Sequence, residues 1–221
     1  MGLAIAQAAK KMGNSVVIAG RSQEKLAMAQ KILDGVEAHT VDVRDEKSVK
    51  LFFDKVGAFD HLVLTAASFI MGPFLKLNTA DVRSYFDSKF WGQYNAAKHG
   101  APFIRKGGSI TFFGGAASQK PICSFAFGSA LNAAIEGLTR GLALELAPIR
   151  VNAIAPGIVE TPAWDLMDKK ERASVFKQAG DKLLTRRIGQ PEDIAEAAIY
   201  LMHCGFATGS VLYVDGGDRL I

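Results

Sequence analysis

Few side chains in this chain of 221 residues are placed to carry chemistry together. The four histidines, His39, His61, His99 and His203, are scattered. Cys123 and Cys204 lie far apart, so no metal-ligand spacing arises and no metal site is expected. The histidines read as structural and the cysteines as small core residues in a reducing compartment. Lys89 is different. It sits in Phe86-Asp-Ser-Lys89-Phe-Trp-Gly92, inside a stretch of helical period. An ammonium buried there would have a depressed pKa and could act as an acid or clamp hydroxyls; the plainer alternative is a solvated lysine on an amphipathic helix. Tyr85 and Tyr94 share the stretch and are read as lying off the face of Lys89. Arg21, in Ala19-Gly20-Arg21-Ser22, closes one apolar run and opens a helix. A guanidinium there can pair with a phosphate, or can simply be solvated ahead of an N-capping Ser22. Asp42-Val43 follows the next apolar run, where a carboxylate can cap a helix or accept from a ligand.

The elements that must position these groups alternate. Runs rich in β-branched residues at 15–19, 37–41, 61–66, 109–113, 150–155 and 210–214 read as strands. Between them, helices are predicted over about 22–33, 45–56, 79–104, 124–146 and 191–203, with a first helix over 3–12. This is the pattern of βαβ units around a parallel sheet, and most of its strands are expected to be buried on both faces.

Composition narrows the class. The chain is 49% hydrophobic and 22% charged, which suits one globular domain spanning 1–221. The net charge of +4 comes from dispersed residues, including the pairs Lys10-Lys11, Lys169-Lys170 and Arg186-Arg187. Solvated faces explain them better than a nucleic-acid surface. No apolar run reaches the ~18 residues of a membrane span, and no basic-then-apolar leader precedes the domain. A cytoplasmic protein without a membrane or nucleic-acid partner is expected.

The stretch from Asn132 through Arg150-Val-Asn-Ala-Ile-Ala-Pro156-Gly157 resembles the helix, strand and Pro-Gly turn that follow the active site in the short-chain dehydrogenase/reductase family. Gly107-Gly-Ser-Ile110, Arg187-Ile-Gly-Gln-Pro191-Glu-Asp-Ile and Thr208-Gly-Ser-Val-Leu-Tyr-Val-Asp215-Gly-Gly217 resemble further family segments. Together they cover nearly the whole chain. The resemblance implies an α/β fold: a Rossmann-like, doubly wound parallel sheet in three αβα layers. It also implies that Met1-Gly2 matches only the last two positions of the Thr-Gly-x-x-x-Gly-x-Gly turn. A first strand and most of a glycine turn, roughly ten to fifteen residues, would then be missing. Either the true start lies upstream of Met1, or a short form lacks the central strand.

For the cofactor, the resemblance implies NADP(H). Arg21 would pair with the 2′-phosphate beside Ser22, Asp42 and Val43 would flank the adenine, and Gly2 and Ala66 would lie along the dinucleotide. Pro156, Gly157, Ile158 and Thr161 would meet the nicotinamide. A substrate lid is expected near 160–190, carrying Trp164, Leu166, Met167 and Phe176, residues that ordinary packing under a loop would also explain.

The reactive positions depart from the family. Counted without gaps from both sides, the family's Ser, Tyr and Lys become Gly115, Gly128 and Asn132, and its Asn becomes Lys89. Ser118, Ser124 and Ser129 are off register. A glycine cannot donate a proton, so the ~10²–10⁴-fold supplied by general acid catalysis must come from elsewhere or be absent. Lys89 would project toward the place where the family's Lys sits. Two functions are carried forward: an NADP(H)-dependent oxidoreductase of a carbonyl or alcohol compound with a non-standard active site, or a catalytically inactive dinucleotide-binding or interaction protein. A homodimer or homotetramer is expected through the helices at 79–104 and 124–146, with Phe90, Trp91, Phe125 and Phe127 as candidate contacts.

Overall fold

A computed structural model describes residues 1–221 apart from the side chain of Leu166. Six parallel strands form two ladders. In the smaller, β1 (Val17–Gly20) pairs with β2 (Glu37–Thr40); the larger runs β3 (Phe59–Val63), β4 (Ile104–Phe113), β5 (Arg150–Pro156), β6 (Val211–Val214). The register sets Ile110 beside Val151 and Ile154 beside Leu212. Every connection is a crossover, so helices cover both faces, as a parallel sheet demands.

On one face, α3 (Glu46–Val56), α5 (Gly92–Gly100) and α6 (Ala126–Glu145) bury Val49, Phe53, Ala97, Leu131 and Ile135 against Ile110, Phe112, Val151 and Ala153. On the other, α1 (Gly2–Lys11) and α8 (Pro191–His203) pack Ile5, Ile194 and Leu201 on Phe113 and Ile154. The helix α2 (Gln23–Ile32) is entered at Ser22, whose hydroxyl accepts from the Lys25 amide at 3.2 Å. Asp45 caps α3 in the same way, accepting from Lys47 at 3.0 Å. At α8, Pro191 takes the first position, where no N–H is required, and Asp193 accepts from the Gln190 amide at 2.7 Å. No helix among the described residues is long and apolar enough to cross a membrane.

Three expectations need correction. Only β4 and β5 carry long runs of fully buried residues; β1, β2 and β6 are partly exposed along their length. The predicted helix over 79–104 is broken. It comprises α4 (Thr79–Phe86), a π-helical turn at Asp87–Trp91, α5 and a short 3-10 turn at Ala101–Phe103, and Ile104 already belongs to β4. The segment expected as a lid likewise divides into a 3-10 turn at Pro162–Leu166 and α7 (Lys169–Lys182), with Asp168 capping the latter. Of its apolar residues, Trp164 donates to the Val159 carbonyl at 3.0 Å and packs edge-on against Phe176. The Leu166 side chain lies outside the described residues.

Candidate functional site

Parallel strands place their carboxyl ends on one edge of the sheet, and the candidate residues collect there. Arg21 follows β1, Asp42 follows β2, Ala66 lies beyond β3, Gly115 follows β4 and Gly157 follows β5. Ligands of open α/β sheets bind outside such ends. Backbones approach closely at this edge. A Cβ on Gly157 would come within 2.8 Å of the Asp215 Cα, and one on Gly2 within 2.6 Å of the Thr65 hydroxyl.

The π turn sets the position of Lys89. Gln93, 2% exposed, bridges the helix to the end of β4: its amide donates to the carbonyls of Lys89 at 2.9 Å and Phe113 at 3.0 Å, and accepts from the Phe113 amide at 2.8 Å. Pinned in this way, Lys89 directs its ammonium to the Gly114 carbonyl at 2.9 Å and to Asn132 Oδ1 at 2.8 Å. The residue as a whole is part-buried, and it is the desolvation of its ammonium that counts, pushing the pKa from 10.5 down to about 8. No carboxylate offsets the effect. An ammonium has three N–H groups, and these two oxygens engage two of them.

Asn132 is itself buried and closely backed. A Cβ on Gly115 would stand 2.8 Å from Asn132 Nδ2, so any larger residue at 115 would require the amide to shift from the position it takes beside Lys89. One turn earlier on α6, the space in front of Gly128 is occupied by Phe125. An ideal Cβ at 128 would fall 2.1 Å from Cζ of that ring. Phe125 is brought there by a left-handed turn at Ser124, φ +64°. Its ring is 7% exposed and packs with Phe127 and Phe69 at centroid distances of 5.3 and 5.4 Å. Phe125 and Phe127 therefore belong to the core, not to the assembly surface expected of them; Trp91 is 49% exposed and remains available for one.

Tyr85 points elsewhere. It lies four residues before Lys89, within one turn, yet its ring is buried edge-on against Phe127 and desolvation pushes its phenol up to about 12. It cannot easily ionise. Gln93 was not among the candidates read from sequence, and Phe125 was read only as an assembly contact. The one signal was the four-residue spacing from Lys89 to Gln93.

The residues expected at the cofactor lie among charges of defined disposition. Arg44 grips Asp42 through Nε to Oδ1 at 3.0 Å and NH2 to Oδ2 at 2.6 Å, which holds that carboxyl below its ordinary pKa; Arg21 adds to the effect through space. Among the described residues Arg21 itself has no hydrogen-bond or ion-pair partner. Val43 packs under the start of α5, where a Cβ on Gly92 would meet it at 2.5 Å. Beyond Pro156, the Ile158 carbonyl accepts from Gly189, while the Ile158 amide and the Thr161 hydroxyl have no partner among the described residues. A free guanidinium after β1 and free donors after β5 are a donor set suited to an anionic nicotinamide dinucleotide.

A parallel α/β sheet with its polar groups gathered at the strand ends is the architecture of a Rossmann-like nucleotide-binding fold. The model of the family described as enoyl-(acyl carrier protein) reductase matches residues 1–218. The short-chain dehydrogenase/reductase ATR9 of Stachybotrys chlorohalonatus is 32% identical over 243 residues, spanning 100% of this chain and 93% of that protein. Among solved structures, a small-chain dehydrogenase in complex with NADPH is 37% identical, with TM-score 0.84 over 94% of this chain and 100% of that one. The MalC reductase/Diels-Alderase of Malbranchea aurantiaca is 27% identical, with TM-score 0.91 over 100% of this chain and 92% of that one. The chain belongs to the short-chain dehydrogenase/reductase family, whose members are oxidoreductases that use nicotinamide dinucleotides.

Proposed function

We propose that the protein is an NADP(H)-dependent oxidoreductase of a small carbonyl or alcohol compound, in which Lys89 handles the proton at the reacting oxygen. The observation that carries this reading is the Lys89 ammonium, held by Gly114 O and Asn132 Oδ1 with one N–H left over. With a pKa of about 8, that third position donates when the amine is protonated and accepts when it is not. A general acid and base needs that property near neutral pH.

In this reading Gly115, Gly128 and Asn132 stand where relatives carry Ser, Tyr and Lys, and Lys89 stands where they carry Asn. The lysine and the amide have exchanged sides of the cleft. Hydride chemistry is supplied by the nicotinamide when bound. The chain's part is to bind and orient. The free guanidinium of Arg21 selects the 2′-phosphate, with Ser22, Asp42 and Val43 at the adenosine end and Gly2 and Ala66 along the phosphates and ribose. Pro156, Gly157, the Ile158 amide and the Thr161 hydroxyl hold the carboxamide. The small-chain dehydrogenase solved with NADPH supports the same choice of nucleotide. A cytoplasmic homodimer or homotetramer, with Trp91 in a subunit contact, completes the proposal.

Calorimetric titration with NADPH and NADH tests the binding half, and NADPH should bind the more tightly. Oxidation of NADPH across aldehydes, ketones, quinones and enones tests the rest. Loss of turnover in Lys89→Met with NADPH affinity retained is the expected result. NADPH binding with no turnover on any compound would mark an inactive dinucleotide-binding protein instead.

A further inference from the structure

An exposed aromatic ring rests on a buried one beside the reactive centre. Phe69 is 63% exposed, yet its ring lies 5.4 Å from that of Phe125, which is 7% exposed. Phe125 in turn fills the space directly in front of Gly128, one turn of α6 from Asn132 and the Lys89 ammonium. The loop that carries Phe69 is tied down on both sides. Ser68 meets the Ser88 hydroxyl of the π turn at 2.6 Å, and the Gly72 amide donates to the Ser124 carbonyl at 2.9 Å. Between these ties the Phe69 ring is the exposed member of the cluster, while Tyr85 and Phe127 hold the Phe125 ring from the core side. The Phe69–Phe125 contact is a tilted aromatic pair with one ring open to solvent, so an incoming planar ring can take the place of the outer one.

We propose that Phe125 is the residue that determines substrate shape: a flat aryl or conjugated carbonyl compound displaces Phe69, stacks on Phe125 and so brings its oxygen to Lys89, whereas a puckered saturated ring is disfavoured. The inference rests on Lys89 and Asn132 marking the reaction site. It concerns binding and not turnover, so it stands or falls separately from catalysis. Geometry favours planarity here because aromatic pairs bind through offset or edge contacts that a puckered ring cannot reproduce.

The test is calorimetric, with benzylideneacetone and its counterpart in which the phenyl ring is replaced by cyclohexyl. Each is titrated into protein saturated with NADP⁺, which cannot reduce it, and into protein without nucleotide. Wild type should bind the phenyl ketone about fivefold to tenfold more tightly than the cyclohexyl one. Phe125→Leu, which keeps an apolar side chain and protects the fold, should abolish that preference. Phe69→Ala should keep it and bind the phenyl ketone at least as tightly as wild type, since a competing ring has gone. The proposal is overturned if wild type does not prefer the phenyl ketone, if Phe125→Leu retains the preference, or if Phe69→Ala loses it as Phe125→Leu does. Failure of NADP⁺ to bind would count against the proposed cofactor, while the nucleotide-free titration would still decide the role of Phe125.

Discussion

Replacing Lys89 by Met should make the difference in stability between variant and wild type depend on pH. Folding moves the Lys89 pKa from 10.5 to about 8, which amounts to ~3 kcal/mol of disfavoured charge. At about pH 7 the ammonium is protonated in both states, so the folded protein bears the whole cost. Between about pH 8 and pH 10.5 the unfolded chain binds a proton that the folded one has released, so stability rises with pH. Integrated from about pH 7 to about pH 10, the gain is roughly 2–3 kcal/mol. Met has no such titration. It does leave Gly114 O and Asn132 Oδ1 without their donor, at roughly 1–3 kcal/mol each, and this cost does not vary with pH. Wild type should therefore gain on the variant steadily above neutrality. Urea unfolding of both across the range measures this, because the other lysines and tyrosines titrate alike in each and cancel. A difference that stays constant with pH would refute a buried, depressed ammonium at this position.

Other perturbations test neighbouring groups. Asn132→Asp places a carboxylate against the Lys89 ammonium and should raise its pKa, moving the stability rise to higher pH in the same urea series. Arg21→Glu should weaken NADPH about 10- to 100-fold in a calorimetric titration while leaving NADH nearly unchanged, as expected for loss of a charge-assisted contact to the 2′-phosphate. Gly128→Ala forces the Phe125 ring out of the position it occupies and should lower thermal stability by about 1–3 kcal/mol; a neutral result would mean that the ring yields freely.

Much of the fold was legible because it depends on local pattern. The segments Arg150–Pro156 and Ser109–Phe113 carry no charge after their first residue, and they are the strands buried on both faces. The caps at Ser22 and Asp45 are local too. The π turn was not legible: nothing in Asp87-Ser-Lys-Phe-Trp departs from helical composition, and what holds the turn is Gln93 bonded to the distant Phe113 backbone. Lys89 could be singled out by its place in the family pattern, but its contact with Asn132 depends on that turn. The occupant of the space before Gly128 was invisible for a similar reason. Phe125 reaches it only because Ser124 adopts a left-handed conformation, for which a serine gives no warning. The exposure of β1 and β2 was also missed, since apolar runs alone do not tell an outer ladder from a central one.

The π turn at Asp87–Trp91 can also be viewed as an α-helix with one residue too many. Deleting a single residue there would let the backbone close into regular helix, and both flanking helices could survive. The two sides would then be rotated relative to one another by about 100°. With Gln93 keeping its grip on β4, deletion of Phe90 or Trp91 would leave Lys89 three positions before Gln93 and turn its side chain by about 100° away from Asn132. Chain length at this point is therefore as much a determinant of the site as residue identity.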